Sequence, residues 1–151
     1  MNNNPDPKTL LDIWLNRLND SGYRVTARNH LIVEIILSSH KALDPITIYD
    51  LARKEQPGLG LVTIYRTLQK LEELGLVERL HQPDGCNRFL RATCGHEHVL
   101  VCSQCGQVDY FGGDDLNHLF EGISEQTGFV IETHWLQLFG VCPACQNGIG
   151  I

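Results

Sequence analysis

Two cysteine pairs with one spacing, Cys102/Cys105 in CSQC and Cys142/Cys145 in CPAC, stand with 36 residues between them in a chain of 151. A CxxC turn aims two sulfurs at one point. That suits a redox dithiol, half of a disulfide framework, or half of a thiolate metal site. A thioredoxin-like motif is a single CxxC at a strand-to-helix turn, whereas here two copies end strand-like runs. Disulfide frameworks belong to smaller secreted chains. Two CxxC turns closing on one ion complete a tetrahedral four-cysteine site for structural Zn2+, and Gly106 directly after the first turn suits a zinc knuckle. The gap exceeds the usual zinc-ribbon spacing, so the ion is expected to clamp a whole small domain, adding about 10–16 kcal/mol of apparent binding free energy to its folding. His96 and Glu97 ahead of Cys102 and Cys105 also echo the HxE…CxxC of zinc deaminases. Val101 stands where that motif has proline, and the second CxxC is available to close the site, so a zinc hydrolase or deaminase is a remote alternative.

The elements that must carry these residues follow from periodicity. Leu11, Trp14, Leu15 and Leu18 keep a 3.6-residue spacing up to Gly22, which predicts a first helix. Thr26 is placed to cap a second, and Asp44 with Pro45 to open a third whose Ile48, Leu51 and Ala52 face inward. Leu61, Ile64, Leu68, Leu71 and Leu74 predict a fourth, ended by Gly75. It displays Thr63, Tyr65, Arg66, Thr67, Gln69 and Lys70 on its polar side. LVERLH and CNRFLR around QPDG predict a β-hairpin. Helices followed by a hairpin are the winged-helix arrangement, whose last helix enters the DNA major groove. Beyond residue 95 the pattern reads β–β–α–β–β. Its helix is expected to be capped by Asp114 or Asp115, to carry Leu116, Leu119, Phe120 and Ile123 in one stripe, and to end at Gly128. The expected class is α+β: a winged-helix DNA-binding domain over 1–91, a hinge at 92–95, and a metal-binding dimerisation domain over 96–151.

The net charge of −6 argues against nucleic acid until its distribution is read. All 12 Lys and Arg lie at or before Arg91, while the remainder holds seven of the 18 acids and no base. A nucleic-acid module followed by a cation-collecting one is the expected division. No signal peptide or membrane span is expected, which points to a cytoplasmic protein.

LVTIYRTLQKLEELGLV, a Gly-containing hairpin, HEHVLVCSQCG and HWLQLFGVCPAC together resemble the ferric uptake regulator (Fur) family of metal-sensing repressors over about residues 10–146. The resemblance implies a winged-helix domain, an α/β dimerisation domain with a structural four-cysteine zinc, and a regulatory metal at the hinge. It implies DNA contacts from Tyr65 and Arg66, with Cys102, Cys105, Cys142 and Cys145 as the structural ligands; Thr63 and Lys70, on the polar side of the fourth helix, and Arg28 are the further candidate DNA contacts. The sequence departs from the family at several places, Tyr110 standing at a usual acidic position beside Asp109 among them. Asn29 stands where an arginine is usual, with Arg28 one position earlier. His98 is one residue further than usual from Cys102. Leu90 follows Phe89 where iron- and peroxide-sensing members place a carboxylate.

A softer ligand set remains for the regulatory site: His81, Cys94, His96, His98 and Asp109. Cys86, just after the turn of the hairpin, is expected to be a small buried side chain, with competition against Cys94 as its other reading. Such a set suits Zn2+ and resembles the zinc-sensing (Zur) branch. Glu97 and His134 would contribute to a possible third metal site, where Asn117 replaces the usual helix acid. The expected protein is therefore not an enzyme. It is a repressor that binds palindromic double-stranded operator DNA as a homodimer, uses structural and regulatory Zn2+, and takes neither membrane nor small organic substrate. An iron-, manganese- or peroxide-sensing member using Fe2+ or Mn2+ is the alternative.

Overall fold

The computed structural model describes residues 6–81, 85–93, 97–113 and 116–148, and of His81 the backbone alone. The chain divides into two compact units, Met1–Ala92 and Thr93–Ile151.

In the first unit, α1 (Pro7–Asp20), α2 (Ala27–Ser38), α3 (Pro45–Glu55) and α4 (Leu61–Glu73) precede a hairpin of β1 (Val77–His81) and β2 (Asn87–Arg91). Two of the helix starts are chemically marked. The Thr26 hydroxyl accepts from the Asn29 amide at 3.3 Å, and the Asp44 carboxylate from the Thr47 amide at 2.9 Å and its hydroxyl at 2.7 Å. Each satisfies a donor that the first helical turn leaves open. Pro45 follows Asp44 at the position that tolerates a missing N–H. Trp14, Leu18, Ile32, Ile36, Ile48, Ala52, Ile64, Leu68 and Leu71 meet in one core, joined by Val77 and Phe89 from the hairpin. Leu51 is exposed instead of facing inward, because Ile48 and Ala52 already fill the buried side of α3. Leu43, between α2 and α3, exchanges both backbone hydrogen bonds with Phe89 at 2.8 and 2.9 Å. This fastens the hairpin to the helical core. The Arg17 guanidinium donates to the Leu74 carbonyl, tying α1 to the end of α4.

The second unit is a three-stranded sheet in the order β4–β3–β5. β3 (Glu97–Cys102) pairs antiparallel with β4 (Val108–Gly112) and parallel with β5 (Gln137–Gly140). A parallel pairing requires a crossover, which α5 (Asn117–Thr127) supplies. α5 ends at Gly128, whose φ of +76° suits a residue without Cβ. Its first flanking residue is Leu116, with no side-chain cap, while Asp114 and Asp115 lie outside the described residues. The stripe of Leu116, Leu119, Phe120 and Ile123 is present, yet no described residue of α5 is buried. The expected second C-terminal strand pair reduces to β5 alone, since residues 129–136 take no regular strand. A short α6 (Pro143–Gln146) follows. No helix among the described residues is long and apolar enough to cross a membrane.

Candidate functional site

Cys102 ends β3, and Cys142 follows β5 by two residues, so the parallel pairing of these strands brings the two CxxC turns together. In the first turn the Gly106 amide closes back on the Cys102 carbonyl at 2.9 Å, with Gly106 at φ +75°. In the second, Cys142 caps α6, its sulfur accepting from the Cys145 amide at 3.5 Å. The Ser103 amide and hydroxyl both donate to the Gly140 carbonyl, at 2.8 and 3.1 Å, and hold the two turns in contact.

All four sulfurs lie within 4.8 Å of one another. Cys102 Sγ is 3.9 Å from Cys145 Sγ, and Cys105 Sγ is 3.7 Å from Cys142 Sγ. A tetrahedron with Zn–S bonds of about 2.3 Å has edges of about 3.8 Å, so these two separations fit zinc. The surroundings also prepare a thiolate. Amides of Cys105 and Cys142 donating to Cys102 pull its thiol down to about 6, whereas burial and then the neighbouring cysteines push Cys145 up to about 12. Four protein ligands leave no open position for a catalytic water. The deaminase echo at Cys102 and Cys105 is therefore absorbed into a closed structural site.

The regulatory set is only partly described. Cys94 and His96 lie outside the described residues, as does the side chain of His81. Asp109 is exposed and accepts from Gln107 at 3.3 Å. His98 is buried, 2% exposed, and its Nε2 has no partner among the described residues. Its ring lies 5.2 Å from that of His134 and 5.4 Å from Phe111, and His134 packs on Phe120 of α5 at 4.4 Å. A Cβ at Gly113 would come within 3.2 Å of the His98 ring. His98, which the sequence groups with the regulatory set, thus stands beside His134, from the possible third site. Glu97 occupies the opposite face of β3 from His98, as strand alternation requires. Among the described residues the four cysteines are the one group of three or more that brings its ligand atoms together. Cys86 is exposed and not buried as expected, because it lies just before β2 at the turn end of the hairpin, beyond the last paired residues His81 and Asn87.

On α4 the outward side carries Val62, Tyr65, Arg66 and Gln69, with Thr63 half-buried. Gln69 donates to Glu73 on the same helix at 3.0 Å. Arg66 and Arg28 have no ion-pair partner among the described residues, whereas Arg79 is held by Glu72 in a two-pronged pair at 2.7 and 3.0 Å. Lys70 leans over the Tyr23 ring at 4.8 Å, and the Tyr23 hydroxyl donates to Glu73. Thr67 is buried, a correction to its expected place on the polar side, because it falls on the arc of Ile64, Leu68 and Leu71. Val62, 64% exposed, was missed in sequence reasoning, which counts an apolar residue toward the core. Only its offset from the Ile64–Leu68–Leu71 arc marks it.

A helical unit ending in a hairpin, followed by a small sheet whose strand ends bring four cysteines together, defines a two-unit protein with a cluster able to hold a metal ion. The chain belongs to the ferric uptake regulator family, whose model matches residues 20–139. Members are transcriptional regulators and not enzymes. The peroxide-responsive repressor PerR of Staphylococcus aureus (strain USA300) is 30% identical over 130 residues, covering 86% of this chain and 87% of its own. The Vibrio cholerae ferric uptake regulator is 29% identical with a TM-score of 0.66, covering 84% of this chain and 98% of its own. A zinc-bound manganese uptake regulator is 26% identical with a TM-score of 0.67, covering 88% and 98%.

Proposed function

We propose that this chain is a zinc-responsive repressor that binds palindromic operator DNA as a homodimer, residues 1–91 contacting DNA and 96–151 binding metal and the second copy. The observation that carries DNA binding is the outward side of α4. There Tyr65 and Arg66 have no hydrogen-bond partner among the described residues, and they stand ahead of a hairpin fastened to the core. Arg66 suits guanine or phosphate, and Val62 suits a thymine methyl. Arg28, Thr63 and Lys70 would add backbone contacts. The winged unit holds every Lys and Arg of the chain, so its field favours phosphate, and the acidic second unit favours cations.

The homodimer has its own physical support. Leu119 and Ile123 of α5, Phe129 and Val130 beyond it, and Leu138 and Phe139 of the edge strand β5 are exposed in the single chain. Apolar groups left exposed on a sheet-edge strand, on a helix and in the segment after it are expected to be covered by another surface.

For the sensed metal, the four-cysteine cluster is closed, so regulation falls to other ligands. His81, Cys94, His96, His98 and Asp109 are the proposed set, with Glu97 and His134 as a possible third site. The buried, unpartnered Nε2 of His98 next to His134 fits an ion and favours sharing His98 between these groups. Nitrogen and sulfur ligands favour Zn2+ over Fe2+ or Mn2+. When bound, the ion would fix the angle between the two units, and metal and DNA affinity would rise together. A peroxide-responsive reading has the likeness to PerR in its favour. Elemental analysis separates the two. Two zinc per protomer falling to one on mild EDTA dialysis, with operator binding lost and restored by Zn2+ alone, supports zinc sensing. One zinc throughout, with DNA binding restored by Mn2+ or Fe2+ and abolished by peroxide, overturns it.

A further inference from the structure

The buried polar side chains described in the first unit are Asn29 and Thr67, at 8% and 3% exposure, and they bond to each other. Thr67 Oγ1 donates to Asn29 Oδ1 at 3.2 Å across the α2–α4 contact. The same amide donates from Nδ2 to the Arg24 carbonyl at 3.1 Å, and the Asn29 backbone N–H is held by Thr26. One side chain therefore joins the entry of α2 to the middle of α4, inside a core otherwise made of Ile32, Val33, Ile64, Leu68 and Leu71.

A neutral hydrogen-bonded pair in such a core stabilises little more than apolar isosteres would, because both partners give up water to form it. It does select one arrangement. Apolar helices pack nearly as well after a small slide or rotation, whereas a displaced Thr67 would leave two buried polar atoms unpaired. The elements so fixed carry exposed basic groups. Arg24 and Arg28 precede Asn29 on one side, and Tyr65 and Arg66 immediately precede Thr67 on the other.

We infer that the Asn29–Thr67 pair is a positioning device that sets the recognition helix α4 in register with the Arg24–Arg28 segment, so that both address one DNA site. The inference rests on the DNA-binding reading above. Asn29 and Thr67 are positioning residues with no DNA contact of their own, and they act on discrimination between sequences more than on general affinity for DNA.

The probe is a duplex enriched from a random library by the zinc-loaded wild-type protein, compared with a scrambled duplex of equal composition. Affinities for both, and Tm, are measured for Thr67→Val, Thr67→Ser and the double variant Asn29→Leu/Thr67→Val. The misplaced helix in Thr67→Val and in the double variant is expected to lose about tenfold in affinity for the enriched duplex, comparable to one mismatched base pair. Binding to the scrambled duplex should stay within about twofold, since phosphate contacts tolerate small shifts. Thr67→Ser keeps the hydroxyl and should restore discrimination. Should the double variant fail to fold, Thr67→Val alone makes the same comparison. Unchanged discrimination in a folded variant lacking the hydroxyl, with only Tm lowered, would reduce the pair to a packing role and overturn the inference. If wild-type protein enriches no duplex, the DNA-binding reading fails first and the positioning role falls with it.

Discussion

On the reading that the four-cysteine cluster holds zinc, removing the ion is expected to unfold the second unit and leave the first intact. The described, fully or largely buried aliphatic side chains of the second unit are Val99, Val101 and Val108, and α5 buries none. Three valines contribute about 5–9 kcal/mol of transfer free energy at about 1.5–3 kcal/mol each. That is a small apolar core for a three-stranded sheet and its crossover helix. A structural Zn2+ held by the four cysteines would contribute about 10–16 kcal/mol where β3 and β5 end, closing the loop that contains α5. The first unit has its own core of Trp14, Leu18, Ile32, Ile48, Ile64, Leu68 and Leu71 and needs no ion. The perturbation is Cys142→Ser, or a chelator strong enough to strip the four-cysteine site. The assay is amide hydrogen exchange read by peptide mass spectrometry, with zinc measured on the same sample. Amides of Val99–Cys102 and Gln137–Gly140 should lose protection, while those of Leu31–Val33 and Leu68–Leu71 keep it. Native protection of β3 in protein shown to be zinc-free would refute the reasoning, because the apolar contacts would then suffice.

Other consequences are smaller. Asp44→Ala should lower stability by about 1 kcal/mol through the lost α3 cap, read from chemical denaturation. Burial raises the Asp44 carboxyl, but hydrogen bonds from the Thr47 amide and hydroxyl and the Ile46 and Asp44 amides together outweigh it and hold the folded value below the ordinary 3.8. The stabilisation is therefore fully present above that value and lost as pH falls through the lower folded one, so wild type and variant should converge in strong acid. Arg66→Ala should weaken binding to the enriched duplex. If the guanidinium meets phosphate, the slope of log affinity against log salt should fall by about one; an unchanged slope with relaxed base preference would place it on a base edge instead. Leu138→Asp or Phe139→Asp should convert a dimer to monomers in sedimentation analysis, and a dimer surviving both would move the self-association surface elsewhere.

The helices and the hairpin were legible in the order of residues because their signals are local. Thr26 and Asp44 act on amides three residues away, and the 3.6-residue spacing of Ile64, Leu68 and Leu71 reports one buried arc. The four-cysteine site was legible too, since two CxxC turns have one simple closure and structural zinc takes four ligands. The arrangement of the second unit was harder to read. FVIETHWLQLFGVC is apolar enough for two strands, yet only Gln137–Gly140 finds a partner in β3, and a strand exists only where its backbone is paired. The stripe on α5 is visible in the sequence, but burial depends on what lies opposite, and among the described residues of one chain no residue of α5 is buried. Packing brought His98 to His134, residues 36 positions apart that the crossover places side by side. Packing also turned Thr67 inward onto Asn29, for a helix face carries no label saying which polar residue will find a buried partner on another helix. Caps and ligand spacing act over a few residues and can be read from them directly. Which faces meet depends on every element packing at once, so those contacts appear only in the folded chain.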